Sequence, residues 1–126
     1  MITKIEGLPG NVIGFEAVGS VNKHDYVEVV FPAMKAFVEK NNKLRFLYVV
    51  TTGLDHYTVG AMWDDIKLGF QHFNQWYKIA IVTDKKLIET MTKFFSFAVP
   101  AHVKVFHSDQ LAAATHWVSE QEAEPT

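Results

Sequence analysis

The sequence predicts a single α/β domain: a mixed, mostly parallel sheet of about five strands, in the order β-β-α-β-α-β-α-β-α, with helices packed on it. Three observations lead there. Short, nearly unbroken apolar runs such as Leu44 to Val50 and Ile79 to Val82 suit strands covered on both faces. Between them, apolar residues recur every three or four positions, the period of an amphipathic helix. The two patterns alternate along the chain with no repeat, linker or low-complexity segment, which calls for a parallel sheet with right-handed crossovers. With 126 residues, one domain is expected. Its span is predicted as 1–119, with 120–126 as a flexible acidic tail.

The first thirty residues open on two short extended stretches. Ile2 and Ile5 flank Thr3 and Lys4, the turn chemistry of Gly7, Pro9, Gly10 and Asn11 follows, and Val12 to Val18 resumes a β-rich run, so an antiparallel hairpin is predicted. From Asn22 or Lys23 the period becomes helical, with Tyr26, Val29, Val30, Ala33, Phe37 and Val38 on one side. Pro32 falls inside that stripe. Because the stripe runs on through it, a kinked helix is expected rather than a restart. Asn41 and Asn42 close the helix, and Leu44 to Val50 is the next strand, interrupted only by Arg45. Thr51 to Tyr57 is a polar loop around Gly53. Thr58 can cap a long helix with the stripe Val59, Met62, Ile66, Phe70 and Phe73. The strand Ile79 to Val82 follows, then Asp84 as a cap for a helix carrying Leu87, Ile88, Met91, Phe94 and Phe95. After Pro100 the last strand is Val103 to Phe106, and Ser108 caps a final helix with Leu111, Ala114, Trp117 and Val118.

Composition excludes several function classes. Without cysteine there is no thiol nucleophile, thiolate zinc site, iron–sulfur cluster or disulfide switch. Twelve basic against fourteen acidic residues give a net charge of −2, so no basic excess is available for nucleic acid. The longest apolar runs, such as Phe46 to Val50, are far shorter than the ~20 residues of a membrane span. The opening residues lack the apolar region of a secretory signal, and a cytoplasmic protein is expected.

Ligands of open α/β sheets meet the carboxyl ends of strands, where following helices present free N–H groups. Thr51 to Thr58, Thr83 with Asp84, and His107 with Ser108 fall there. The first is the richest, with Thr51, Thr52, Asp55, His56, Tyr57 and Thr58; its simpler account is a capped loop. No GxGxxG and no Walker-type lysine accompany it, so no nucleotide or other cofactor is expected. Asp55 beside His56 offers acid–base chemistry for a small enzyme, but adjacent residues rarely point at one target. The histidines at 24, 56, 72, 102, 107 and 116 have neither i, i+4 nor i, i+2 spacing, so no metal site is expected. His72 shares one edge of the long helix with Asp65, Gly69 and Trp76. Aromatic residues crowd the stretch from Trp63 to Phe97. Phe94, Phe95, Phe97 and Val99 are expected to fill the core, line an apolar pocket or make a homodimer contact.

Trp63-Asp64-Asp65-Ile66-Lys67-Leu68-Gly69 and Tyr77-Lys78-Ile79-Ala80-Ile81-Val82-Thr83-Asp84 resemble the bacterial SpoIIAA-like proteins of the STAS superfamily. Glu6-Gly7-Leu8-Pro9, Asp25-Tyr26, Pro32-Ala33, and the stretch from Phe94-Phe95 through Val103-Lys104-Val105-Phe106 fit the same pattern, from about residue 2 to 118. The superfamily is related in fold to anti-sigma-factor antagonists and to CRAL-TRIO lipid-binding domains. The resemblance implies a non-enzymatic regulatory or protein-interaction module without a cofactor. In the antagonists a serine within an Asp-Ser-Ser-Gly-like motif is phosphorylated; the nearest match here is Asp55-His56-Tyr57-Thr58-Val59-Gly60, which departs in spacing and residue type. Thr58 is then the expected phosphoacceptor, and Thr51, Thr52, Asp55, His56, Tyr57, Thr58, Gly60, Trp63 and Asp84 the expected partner or ligand surface. A small apolar or lipid-like ligand is the alternative that the CRAL-TRIO relationship implies.

Overall fold

The fold is described from a computed structural model, over residues 1–19, 21, 23–50, 71, 73–84, 92–93 and 101–120. Five strands form one sheet in sequence order: β1 (Ile2–Lys4), β2 (Ile13–Ala17), β3 (Leu44–Val50), β4 (Trp76–Thr83) and β5 (His102–His107). β1 pairs antiparallel with β2, and the other neighbours are parallel. The mixed, mostly parallel sheet is the one the sequence predicts. The hairpin is tied by Ile5 N–H to the Gly14 carbonyl at 2.9 Å and Val12 N–H to the Pro9 carbonyl at 3.0 Å. Gly7 turns it with φ +81°, a conformation that L side chains rarely adopt.

β3 is buried at every position, the outcome expected of an apolar run covered on both faces. Leu44, Phe46, Tyr48 and Val50 join one core, with Phe15, Tyr26, Val30, Met34 and Ile81. Leu47 and Val49 join the other, with Ala80, Val82, Phe106, Ala114 and Val118. Helices therefore cover both faces of the sheet.

The first helical segment runs through α1 (Lys23–Asp25), a π-turn (Tyr26–Val30) and α2 (Phe31–Val38). The expected kink at Pro32 takes the form of that π-turn. Phe31 N–H donates to the Tyr26 carbonyl, five residues back, and Pro32 sits in the first turn of α2, where its missing donor is tolerated. At the far end Lys40 N–H, Asn41 N–H and Asn41 Nδ2 all donate to the Phe37 carbonyl at 3.1 Å, so Asn41 closes the helix as expected.

Two expectations are corrected here. β4 begins at Trp76, earlier than Ile79, and Phe73 to Gln75 are not helical, so Trp76 does not share a helix edge with His72, itself outside the described residues. Leu44 pairs with Trp76 but Arg45 pairs with Lys78, which leaves Tyr77 as a bulge. The extra residue turns Trp76 to the face of Phe46, 5.6 Å away, while Lys78 faces the opposite layer. Secondly, Ser108 does not cap the last helix. A 3-10 turn (Ser108–Gln110) precedes α3 (Leu111–Ser119), and its cap is His107. Leu111 is exposed rather than part of the buried stripe.

Lys78 and Arg45, only 5% and 3% exposed, meet the carboxyl end of α3. Lys78 Nζ donates to the Trp117 carbonyl at 2.9 Å, Arg45 Nη1 donates to the Val118 carbonyl at 3.1 Å and to that of Glu120, and Asn11 Nδ2 donates to the Ser119 carbonyl at 2.9 Å. Terminal carbonyls carry the negative end of the helix dipole, so cations are stabilising there. Arg45 also lies 4.7 Å from the Tyr77 ring centroid. Arg45→Met should lower stability by about 1–3 kcal/mol, since it leaves the buried Val118 carbonyl without that donor. Urea denaturation checks this, with Lys43→Met, at an exposed position, costing less than about 1 kcal/mol.

Candidate functional site

The register places the carboxyl ends of three strands side by side. Val50 pairs with Thr83, and Thr83 with His107. β3, β4 and β5 therefore end side by side, at Val50, Thr83 and His107. This is where open α/β sheets bind their ligands.

Thr83 is fully buried and its Oγ1 donates to the Val50 carbonyl at 2.8 Å. A β-branched residue favours the strand, and its hydroxyl ties the last residue of β3 to the last residue of β4. The carboxyl end of β3 is thereby fixed to that of β4. Asp84 follows at once and is half-buried.

At the end of β5, the sequence His-Ser-Asp-Gln breaks the strand into the 3-10 turn. Gln110 Oε1 accepts from His107 N–H at 2.9 Å. His107 Nδ1 lies 2.9 Å from Asp109 Oδ1 and 3.4 Å from the Asp109 N–H. Nδ1 donates to the carboxylate in one tautomer and accepts from the Asp109 N–H, as a cap of the turn, in the other. A carboxylate orienting an imidazole is the geometry of a general base. Among the described residues, however, no nucleophilic side chain is hydrogen-bonded to His107. The described residues also contain no group of three side chains suited to a metal ion.

Of the predicted surface residues, Asp84 is described. Thr51, Thr52, Asp55, His56, Tyr57, Thr58, Gly60 and Trp63 lie outside the described residues, as do Phe94, Phe95, Phe97 and Val99. Three arrangements were not anticipated from sequence. The Tyr26 and Tyr48 hydroxyls form a buried hydrogen bond of 2.6 Å. Arg45 and Lys78 anchor α3, and the signal for Arg45 was a charge inside a doubly covered strand. The His107–Asp109 pair was signalled by an acid two residues beyond a histidine at a strand end.

Compared with known families, residues 12–119 match the SpoIIAA-like family model. The chain belongs to the SpoIIAA-like family. Its five-stranded mixed sheet with helices on both faces is a STAS-type α/β fold, and membership suggests a regulatory or interaction module of a generally non-enzymatic class. No curated protein and no solved structure matches the chain. No helix among the described residues is long and apolar enough to cross a membrane.

Thr83→Val should cost about 1 kcal/mol in urea denaturation, because the Val50 carbonyl loses a buried donor, whereas Thr83→Ser, which keeps the hydroxyl, should retain that hydrogen bond. Unchanged stability in Thr83→Val would show that the hydroxyl does not hold the two strand ends together.

Proposed function

We propose that the chain is a non-enzymatic regulatory module that engages a protein partner through the loop and helix start around Thr58, with Thr58 as phosphoacceptor. The observation carrying this reading is the register at the carboxyl end of the sheet. Val50, Thr83 and His107 stand abreast, so β3 ends beside the strand end that Asp84 follows. The SpoIIAA-like match over residues 12–119 supports it, since the antagonists that the family resembles carry their switch in the corresponding stretch. Phosphate at the start of a helix interacts favourably with the N–H groups and dipole there.

Intact-mass and fragment analysis of the protein purified from its native cells tests the switch. Phosphate localised to Thr58, and absent from a Thr58→Ala variant that retains its thermal midpoint, is the expected result. A protein that never carries phosphate at Thr58, under any growth condition or with any candidate kinase, contradicts the reading.

A further inference from the structure

The register sets a row of cationic side chains across the amino end of the sheet. Arg45 pairs with Lys78, and Lys78 with His102, so the three stand abreast on adjacent strands. Strand alternation turns all three to the face that α3 covers, since Leu47, Ala80 and Phe106, two or four residues on, join the core beneath it. The Tyr77 ring sits among them, its centroid 4.3 Å from Lys43 Nζ, 4.7 Å from Arg45 and 5.9 Å from Lys78 Nζ, with the His102 ring perpendicular to it at 5.8 Å. Arg45 and Lys78 are buried and bonded to α3 carbonyls. Lys43, His102 and Lys104 are exposed, and no carboxylate among the described residues pairs with any of them. Glu120 is the acid that reaches the row, 4.0 Å from Lys78 Nζ and 3.4 Å from His116 Nε2. Like charges this close repel one another, so the row is short of counter-charge.

The chain delivers that counter-charge to the spot. Glu120 leaves α3 in an extended conformation (ψ 131°), with its carbonyl held by Arg45. Gln121-Glu122-Ala123-Glu124-Pro125-Thr126 follows, outside the described residues, with two acids and no base. The contacts from Glu120 to Arg45, from Arg45 to Tyr77 and from Tyr77 to Lys43 place that carbonyl no more than roughly 13 Å from Lys43 Nζ. An extended chain advances ~3.3 Å per residue, so Glu122 and Glu124 can lie about 7 and 13 Å on, which spans the distance.

We propose that this acidic tail folds back over Tyr77 of its own chain as a strap that covers the cationic row, the Glu122 and Glu124 carboxylates meeting the Lys43 ammonium and the His102 imidazole. The strap shares no residue with the loop around Thr58, so it and the phosphoacceptor reading fail separately.

Amide NMR of the full chain at low salt tests it, comparing the wild type with Glu122→Gln/Glu124→Gln. The double variant should displace the Lys43, Tyr77 and His102 amides and leave those of Thr83 and His107, at the other end of the sheet, in place. Each exposed ion pair favours the docked tail by about two- to fivefold. Sodium chloride at about 0.5 M, where the Debye length is about 4 Å, should therefore move the wild-type amides towards the variant's positions and barely move the variant's own. In the reverse direction, Lys43→Gln should displace the amides of Glu122 and Glu124. Unchanged Lys43, Tyr77 and His102 amides in the double variant, unchanged tail amides in Lys43→Gln, or displacements that vary with protein concentration, which would put the tail on a second copy, would overturn the proposal.

Discussion

Four carbonyl groups at the carboxyl end of the last helix, those of Trp117, Val118, Ser119 and Glu120, are met by Lys78, Arg45 and Asn11 from the sheet and its hairpin. Much of the remaining geometry follows from this fastening. A buried cation costs free energy unless hydrogen bonds satisfy it, and buried terminal carbonyls cost free energy unless donors reach them. Each set removes the other's penalty. The pairing requires Lys78 to face α3, and because Trp76 must face Phe46 on the opposite side, Tyr77 is inserted as a bulge between them. The residue thus freed from regular pairing packs its ring near the Lys43 and Arg45 cations, at 4.3 and 4.7 Å. At the opposite end of the sheet Val50, Thr83 and His107 stand side by side.

The two ends of the sheet are fastened by different means. At the amino ends of β3 and β4 the buried Arg45 and Lys78 are tied to a helix terminus. At their carboxyl ends, the buried Thr83 hydroxyl fixes the strands, and His107 with Asp109 and Gln110 shapes a local turn. On the remaining face, the helix over the first core is interrupted by a π-turn. Such turns are frequently functional, and here the cause is visible: the Tyr26–Tyr48 hydrogen bond and the buried Val30 and Met34 hold the stripe against the sheet while Pro32 denies the helix its regular ladder.

The sheet and its strand order were legible because the strands announce themselves as β-branched apolar runs, whereas the helices expected from Thr58 and after Asp84 fall largely outside the described residues. Leu44 to Val50 is the clearest case, its burial on both faces following directly from its lack of alternation. Less was legible where one residue changes a register. Nothing in Trp76-Tyr77-Lys78 announces a bulge; only the need to place a tryptophan and a lysine on opposite faces reveals it. The cap of the last helix was read as Ser108 because hydroxyls are common caps, whereas the side chain of Gln110 reaching back to His107 N–H moved the boundary by one residue. Arg45 was visible as an anomaly, but its partners lie more than seventy residues away, beyond any local pattern. The stretch around Thr58 that we propose as functional was reached through resemblance and through the rule that ligands meet the carboxyl ends of strands, and Asp84 is its one member among the described residues.

The account makes the union of buried cations with the α3 terminus the feature on which the second layer depends. Native-state hydrogen exchange of the Ala114 to Ser119 amides, compared between the wild type and Lys78→Met, tests that most directly. If the account holds, the variant's α3 amides lose protection by more than the amides of β2 and β3, because the helix detaches before the sheet opens. Equal protection of α3 in the two proteins, or a uniform loss across sheet and helix alike, would contradict it.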